Sequence, residues 1–204
     1  MPESEKRPTK QRILDTAVGL FAQHGFKDVS MREIAKEVGI KASSLYKHYE
    51  SKESILKSIF ELFRQRLAQT EMAGQMPVLS SPAEYFSLAY EKFKQVMWQP
   101  DVIKIARIIT VEQQRSQSVR EFLVQEMIEK PITATQYVLD VMKNEGLIRR
   151  DTDTRVLAEE YCAYIVYLYF EQNFLHIGPS LDVIDEKMKQ HNDFFVRSIL
   201  KQGE

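Results

Sequence analysis

Residues 30–52 read SMREIAKEVGIKASSLYKHYESK, and this stretch decides the fold of the first part of the chain. Ser30, followed three residues later by Glu33, has the form of a capping box, in which the two side chains satisfy backbone N–H groups at a helix start. Gly39 supplies the positive-φ residue that a tight helix exit prefers. A further short helix is predicted at about 42–48. Two short helices joined by a glycine turn form a helix-turn-helix.

The helix-turn-helix spans about residues 30–49. Its second helix has the composition of a recognition helix. Such a helix enters the major groove with small or polar residues at its N-terminal end, while hydroxyls and cations beside it bind phosphates. Leu45 and Tyr49 are expected to anchor it to the core. The candidates for DNA contact are Ala42, Ser43, Ser44, Tyr46, Lys47, His48 and Lys52.

Helical periodicity continues on both sides of the motif, and no segment of useful length alternates like a strand. Thr9 is expected to cap a first helix that ends at Gly25, and Ser51 to cap a fourth helix that runs to about Ala73. Residues 74–82 read as a loop. Further helices are predicted at about 83–98, 101–114, 118–145, 153–175 and 181–201.

Two positions punctuate the later helices. Pro131 falls inside the 118–145 pattern, so we expect either a kink there or a break with Pro131 in the first turn of a new helix. Thr152 or Asp153 is expected to cap the helix that follows.

Residues 9–56 resemble the DNA-binding head of the tetracycline-repressor (TetR) family. The segment ILDTAVGLFAQHGF at 13–26 has the Ala and Phe of the family's first helix and the Gly-Phe after it. Residues 30–56 show the Ser cap, Ile-Ala, Gly-Val, Leu-Tyr, His, an aromatic residue and Lys in the family's order. The chain departs from the family at Lys41, where many relatives carry a capping Ser, and at Tyr49, which is commonly Phe.

The resemblance implies an all-α fold of about nine helices, with a helix-turn-helix DNA-binding domain at 1–50 and a ligand-binding and dimerisation domain at 51–204. It implies a dimer that binds a palindromic operator, is released by a small molecule and, by family tendency, represses transcription. The resemblance also implies phosphate contacts at Ser30, Tyr46, His48 and Lys52, and base contacts near Ala42 to Ser44 and Lys47. The extra cation at Lys41 is expected to reach a further phosphate.

The segment YCAYIVYLYF at 161–170 is apolar on every side of a helix, so it must be buried all round. One helix can meet that demand by facing its own domain on one side and a partner subunit on the other. With the final helix it would form an intersubunit four-helix bundle, and the homodimer is expected to use the helices at about 153–175 and 181–201.

An effector pocket is expected among helices four to eight, because such pockets are mainly apolar with a few polar anchors. Each candidate for its lining also fits a plain core position. The tyrosines favour a moderately polar aromatic or amphipathic ligand, which the sequence does not identify. The lining candidates are Tyr90, Phe93, Met97, Trp98, Tyr137, Tyr161 and Tyr164.

The distribution of charge and the length of the longest apolar stretch limit the possible functions further. The net charge is −1, but residues 1–57 hold eleven Lys/Arg against eight Asp/Glu, a net of +3 that leaves −4 for the remainder. This asymmetry is consistent with a DNA-facing head on an acidic body.

The longest apolar stretch, at 161–170, is far shorter than the ~20 residues of a membrane span, so we expect a cytoplasmic protein. Cys162 lies in that stretch and reads as a core residue.

An enzyme is the main alternative class. The four His are far apart in sequence, and no metal-ligand spacing, phosphate loop, nucleophile elbow or dinucleotide fingerprint occurs, so we expect no catalytic residues, metal or cofactor. A second alternative is a binding protein that has lost DNA binding, against which Tyr46, His48 and Lys52 argue. Lys6, Arg7, Lys10 and Arg12 form either an arm that follows DNA or a solvated tail.

Overall fold

The computed structural model describes residues 7–70, 81–176 and 179–200, and within these ranges the chain is all-α, as predicted. The helices are α1 (Thr9–His24), α2 (Met31–Val38), α3 (Ala42–Tyr46), α4 (Lys52–Ala68), α5 (Pro82–Met97), α6 (Pro100–Glu112), α7 (Gln117–Leu123), π1 (Val124–Glu129), α8 (Lys130–Asn144), α9 (Thr154–Phe170), π2 (Glu171–Leu175) and α10 (Leu181–Ile199). Because α7, π1 and α8 run on as one interrupted helix, the predicted number of about nine helices agrees with the structure.

Helices α1 to α4 and α6 form one compact unit. Helix α1 packs against α2, α4 and α6, and α4 also packs against α6. Packing therefore groups α4 and α6 with the first three helices, whereas the predicted boundary at residue 50 separated them. The fully or almost fully buried side chains of this unit include Ile13, Ala17, Phe21, Ile34, Leu45, Ile55, Ile59, Phe63, Ile105 and Ile109.

The start of α1 differs from the prediction. Thr9 is the first helical residue rather than the cap, and Pro8 stands at the cap position, where no side chain accepts a hydrogen bond. Pro is well suited to the edge of a helix because its missing N–H has no intrahelical partner there. The other end is as predicted, since Gly25 ends α1 with φ +82°.

Helix α4 begins as predicted and ends early. The Ser51 hydroxyl accepts a hydrogen bond from the Ser54 backbone N–H at 3.2 Å, and the Ser51 N–H donates to the Ser54 hydroxyl at 3.2 Å. This reciprocal pair caps the helix as a Ser–Glu pair would. The helix ends at Ala68 rather than at about Ala73, and most of the loop predicted at 74–82 lies outside the described residues.

A second compact unit contains α5, α8, α9 and α10. Helix α9 packs against α8 and α10, and α10 packs against α5. Aromatic rings join these helices: the Phe86 ring centre lies 4.6 Å from that of Tyr161 and 5.0 Å from that of Phe195. Other members of the cluster are Tyr85, Leu139, Met142, Ile148, Ala158, Cys162 and Ile199.

Pro131 lies in the first turn of α8, directly after the π-helical segment π1. Proline removes a backbone donor and crowds the preceding turn, and a wider π turn accommodates both effects. The predicted break at Pro131 therefore takes the form of a π-helical interruption. Asp153 rather than Thr152 caps α9, accepting from the N–H groups of Arg155 and Val156 at 3.1 and 3.2 Å.

The apolar segment 161–170 lies in α9 and is buried on one side only. Tyr161, Cys162 and Leu168 are buried within the second unit, whereas Tyr167 and Phe170 are about half exposed in the single chain. None of the helices in the described ranges has the length and apolar character that crossing a lipid bilayer requires.

Gly39 offers a direct test of the turn that orients α3. Its backbone is left-handed, with φ +77° and ψ +33°. An added Cβ would meet no atom within 4 Å, so Gly39→Ala should lower stability through backbone strain alone, by about 1 kcal/mol. Urea unfolding measures the change.

Gly19→Ala is the matched control, because Gly19 lies inside α1 and a Cβ there also meets no atom within 4 Å. Alanine is the better helix former, so this change should raise stability by roughly 0.5–1 kcal/mol. Equal effects of the two substitutions would contradict the strain at Gly39.

Candidate functional site

The N-terminus of α2 is held by the predicted capping box. The Ser30 hydroxyl accepts from the Glu33 backbone N–H at 3.2 Å, and the Ser30 N–H donates to the Glu33 carboxylate at 2.6 Å. Hydrogen bonding to the side chain and the backbone of Ser30, with smaller contributions from the charges of His24 and Lys52, lowers the pKa of the Glu33 carboxyl. Ser30 is exposed, so the first turn of α2 presents its remaining N–H groups at the surface.

The turn that follows sets the direction of α3. The Gly39 N–H donates to the carbonyl of Lys36 at 3.1 Å, and the Ile40 N–H to that of Ala35 at 2.9 Å, which closes α2 as a left-handed glycine exit does. The Lys41 carbonyl then accepts the first hydrogen bond of α3, from the Ser44 N–H at 2.9 Å. Lys41 itself provides no side-chain cap.

Helix α3 spans only five residues and ends at Tyr46, two residues before the predicted end. Leu45 is fully buried and Tyr49 almost so, which confirms that both anchor this segment. Because one side of a short helix is held in this way, its other side must face solvent.

The exposed side carries most of the residues predicted to contact DNA. Tyr46 exposes 51% of its surface, a large fraction for an aromatic residue. Lys41, Ser43, Lys47 and His48 are also exposed, and Ala42 and Ser44 are half-buried. The structure thus brings small residues at the start of α3 together with a phenol, an imidazole and two ammonium groups.

The Lys52 ammonium is bound to backbone groups within the protein. It donates to the backbone carbonyls of Phe26, Lys27 and Val29, at 2.7, 3.0 and 2.7 Å. It also lies 4.6 Å from the centre of the Phe26 ring. The side chain predicted to reach a phosphate is therefore engaged within the protein.

The described cations of the N-terminal segment are engaged as well. Arg7 forms an ion pair with Asp15 at 3.0 Å, and the Arg12 guanidinium donates to the Val38 carbonyl at 2.7 Å. The Lys10 ammonium lies 5.5 Å from the ring centre of Tyr49. Lys6, the remaining member of the predicted arm, lies outside the described residues.

Two exposed cations were missed by the sequence reasoning. Arg32 and Lys36 are exposed on α2, the helix that Ser30 caps. Their spacing of four residues places them on one helix face. That spacing, next to a helix N-terminus, was the signal that could have identified them.

The predicted effector residues all belong to the second unit, but they do not share one environment. Tyr137 exposes 63% of its surface on α8, so it does not line a site with the buried candidates; its place in the predicted lining was wrong. Sequence reasoning misplaced it because an aromatic residue on an amphipathic helix does not reveal which face it occupies. Phe93 is half-buried, and Met97 is fully buried.

Polar contacts hold the remaining tyrosines among the candidates. The Tyr90 hydroxyl donates to Asp185 at 2.7 Å, and burial together with this hydrogen bond raises the pKa of Tyr90. The Tyr161 hydroxyl donates to Asn192 at 3.0 Å. Tyr164 stacks on His191, with ring centres 4.2 Å apart.

Trp98 is the candidate with unused polar capacity. It is 8% exposed and its ring centre lies 5.2 Å from that of Tyr169. Its indole N–H is buried and has no hydrogen-bond partner within the part of the chain that the structure describes. Gln172, which follows Tyr169 by three residues in the π-helical segment π2, is also buried. A buried indole donor is a polar anchor of the kind that ligand pockets use. Within the described ranges no three His, Cys, Asp or Glu side chains lie close enough together to hold a metal ion.

The first unit contains the segment that a family model matches. The family model for "Bacterial regulatory proteins, tetR family" matches residues 13–59. The HTH-type transcriptional regulator AcrR of Shigella flexneri is 32% identical over 80 residues, which cover 39% of this chain and 37% of AcrR. The chain thus matches little more than a third of the length of that relative.

Two further similarities extend over the whole chain. The HTH-type transcriptional regulator BetI of Agrobacterium fabrum is 27% identical over 203 residues, covering 95% of each protein. The crystal structure of a regulator from Saccharomonospora viridis in complex with choline has 20% identity, covers 95% of this chain and 98% of that chain, and gives a TM-score of 0.69. The relatives are named as regulators rather than enzymes, in agreement with the prediction. Residues 13–59 of this chain thus match the tetR family of bacterial regulatory proteins.

Proposed function

We propose that this chain is a ligand-responsive transcriptional regulator that binds a palindromic DNA operator as a homodimer and is released from it by a small molecule. One observation carries the proposal: in α3 and the three residues after it, Leu45 and Tyr49 are buried while Tyr46, Lys47 and His48 are exposed. That division is what a recognition helix needs, since its inner side must be rigid and its outer side free for DNA.

The proposed roles follow from side-chain size and chemistry. Ser43, with Ala42 and Ser44 beside it, approaches base edges at the N-terminal end of α3, where small side chains allow close approach. The Tyr46 hydroxyl and the His48 imidazole donate to phosphates, and Lys41 and Lys47 neutralise them. The exposed N-terminus of α2 at Ser30 offers backbone N–H groups to a further phosphate.

The proposed dimer surface lies on α9 and α10. Helix α9 exposes Val156, Ala163 and Phe170, which recur every seven residues and so share one face. Helix α10 exposes Val183 and Phe194, eleven residues apart and therefore also on one face. A second copy of the chain would bury both stripes in a four-helix bundle.

A polar bridge keeps these two stripes side by side. The Glu171 carboxylate accepts from the Lys187 ammonium at 2.6 and 2.8 Å and from the Tyr167 hydroxyl at 2.9 Å. These donors, with the Gln172 amide, lower the pKa of Glu171 to about 2. The bridge joins the residue after α9 to α10, and so it links the two helices that carry the proposed partner surface.

The proposed effector binds in the second unit, near the buried indole of Trp98. Support comes from its unpartnered N–H, its contact with Tyr169 and the adjacent π-helical segment π2, since π segments are frequent at functional sites. The choline complex of a protein with the same fold supports a small-molecule ligand in general. A coupling of about 1–3 kcal/mol, typical of allostery, would change operator affinity roughly 5- to 150-fold.

The DNA contacts are tested with a duplex from the region upstream of the gene that encodes the chain. Tyr46→Phe should weaken binding roughly threefold to tenfold, because it removes one hydrogen bond to a phosphate. Lys47→Met should reduce the slope of log K against log salt by about one. Gel shift and fluorescence anisotropy at several salt concentrations measure both.

Tyr137→Phe is the matched control, since it removes an exposed hydroxyl from α8, and it should leave binding unchanged. Wild-type protein without any salt-dependent duplex binding would favour the alternative of a relative that has lost DNA binding.

The dimer surface is tested at Phe194, which exposes 69% of its surface in the single chain. Phe194→Glu should weaken self-association at least about tenfold, because it buries an unpaired charge at the proposed interface. Val111→Glu, at a comparably exposed apolar position on α6, should leave it unchanged. Analytical ultracentrifugation gives both constants; a Phe194→Glu variant that dimerises like the wild type contradicts the proposed surface.

Trp98 is the only tryptophan of the chain, so its fluorescence reports on the proposed effector region. A compound that lowers operator affinity should change the Trp98 emission with the same midpoint concentration, because both signals report one binding event. Choline and its uncharged isostere 3,3-dimethylbutanol are suitable first probes that differ only in charge. A releasing compound that leaves the emission unchanged would place its binding site elsewhere.

A further inference from the structure

The three carbonyls around Lys52 use the whole hydrogen-bonding capacity of its side chain. An ammonium has three N–H donors, and the Lys52 ammonium is within 2.7–3.0 Å of three acceptors, the carbonyl oxygens of Phe26, Lys27 and Val29. The Phe26 ring adds a cation–π contact at 4.6 Å. To reach a phosphate, the ammonium would have to give up at least one of these contacts.

We propose that Lys52 is a positioning residue that clamps the connection between α1 and α2 to the start of α4, and that it contributes to DNA binding through this clamp rather than through a phosphate contact. The DNA part rests on the proposed function, whereas the clamp itself does not. The assignment replaces the phosphate contact that the family resemblance implied for Lys52.

The clamped segment controls the N-terminus of α2. Val29, one of the three acceptors, is buried and immediately precedes the Ser30 cap. Phe26 is held a second time by its ring contact with Phe21, with centres 5.1 Å apart. Fixing the carbonyls of Phe26, Lys27 and Val29 therefore fixes where α2 begins.

The opposite end of α2 is held in a similar way. The Arg12 guanidinium donates to the Val38 carbonyl at 2.7 Å, so cations from α1 and α4 bind backbone carbonyls at the two ends of the helix. Loops offer several unpaired carbonyls, and a charged donor satisfies them more strongly than a neutral one. Helix α2, which leads through Gly39 into α3, thus has its ends set by two side chains.

Two substitutions at Lys52 separate the clamp from a phosphate contact. Lys52→Met keeps the length of the apolar stem and removes the donors. Lys52→Arg keeps the charge, but its planar guanidinium does not match three acceptors converging on one point. Both should lower the melting temperature, Lys52→Met by about 4 °C, while both leave the slope of log K against log salt unchanged on the upstream duplex.

Lys47→Met is the matched control, because Lys47 is an exposed cation just after α3. It should leave the melting temperature unchanged and reduce the salt slope by about one. The wild type provides a measurement that needs no variant: the 15N-labelled ammonium of Lys52 should give an observable signal, protected by its hydrogen bonds, that does not move when duplex is added.

The outcomes are separable. A melting temperature that is unchanged in Lys52→Met overturns the clamp, as does a salt slope that falls as much as in Lys47→Met or an ammonium signal that shifts on addition of DNA. If the wild type binds no duplex, the proposed function fails, and the melting temperatures still decide on the clamp. If Lys52→Met does not fold, Lys52→Arg and the wild-type ammonium signal decide.

Discussion

A helix of five residues does not hold itself together in water, because its few backbone hydrogen bonds do not offset the cost of ordering the first turn. Helix α3 therefore depends on the burial of Leu45, which is fully enclosed by the first unit, and of Tyr49 just beyond its end. This burial also decides which residues are outside. Tyr46, Lys47 and His48 are exposed because the residues on either side of them in sequence are anchored.

The cations of the first unit have two different uses, and the net charge of the segment does not distinguish them. Lys52 and Arg12 satisfy backbone carbonyls within the protein, and Arg7 is paired with Asp15. Lys41, Lys47, Arg32 and Lys36 are exposed on or beside α2 and α3. Only the second set adds to the positive surface that DNA would meet, so the effective footprint is set by geometry rather than by the sum of charges.

The aromatic residues of the second unit likewise fall into two groups, one buried in its core and one exposed. Phe86, Tyr161 and Phe195 join α5, α9 and α10 in one core. Phe170 and Phe194, on the outer faces of α9 and α10, remain 49% and 69% exposed in the single chain. One side of the apolar helix α9 is thus buried by its own unit. The proposed partner subunit would bury the other side. Trp98 differs from both groups, since it is buried yet has a donor that no described residue pairs.

Much of the fold and of the candidate site was predictable because the interactions that set it are local. The Ser30–Glu33 box, the Gly39 exit, the Ser51 cap and the break at Pro131 each depend on residues within about four positions of one another. The exposed residues of α3 followed from the same motif, and their order carried the resemblance to the tetR family that the match over residues 13–59 supports. Sequence periodicity likewise identified the helices, though not all of their ends.

What the tertiary structure alone decided involves residues far apart in the chain. The carbonyls that bind Lys52 lie 23 to 26 residues before it, α6 joins the first unit across an intervening helix, and the exposure of Tyr137 depends on which face of α8 packs against α9. A local pattern states what a side chain can bind, because that depends on its chemistry. Which partner it binds depends on the long-range packing that brings one acceptor or surface within reach and excludes another.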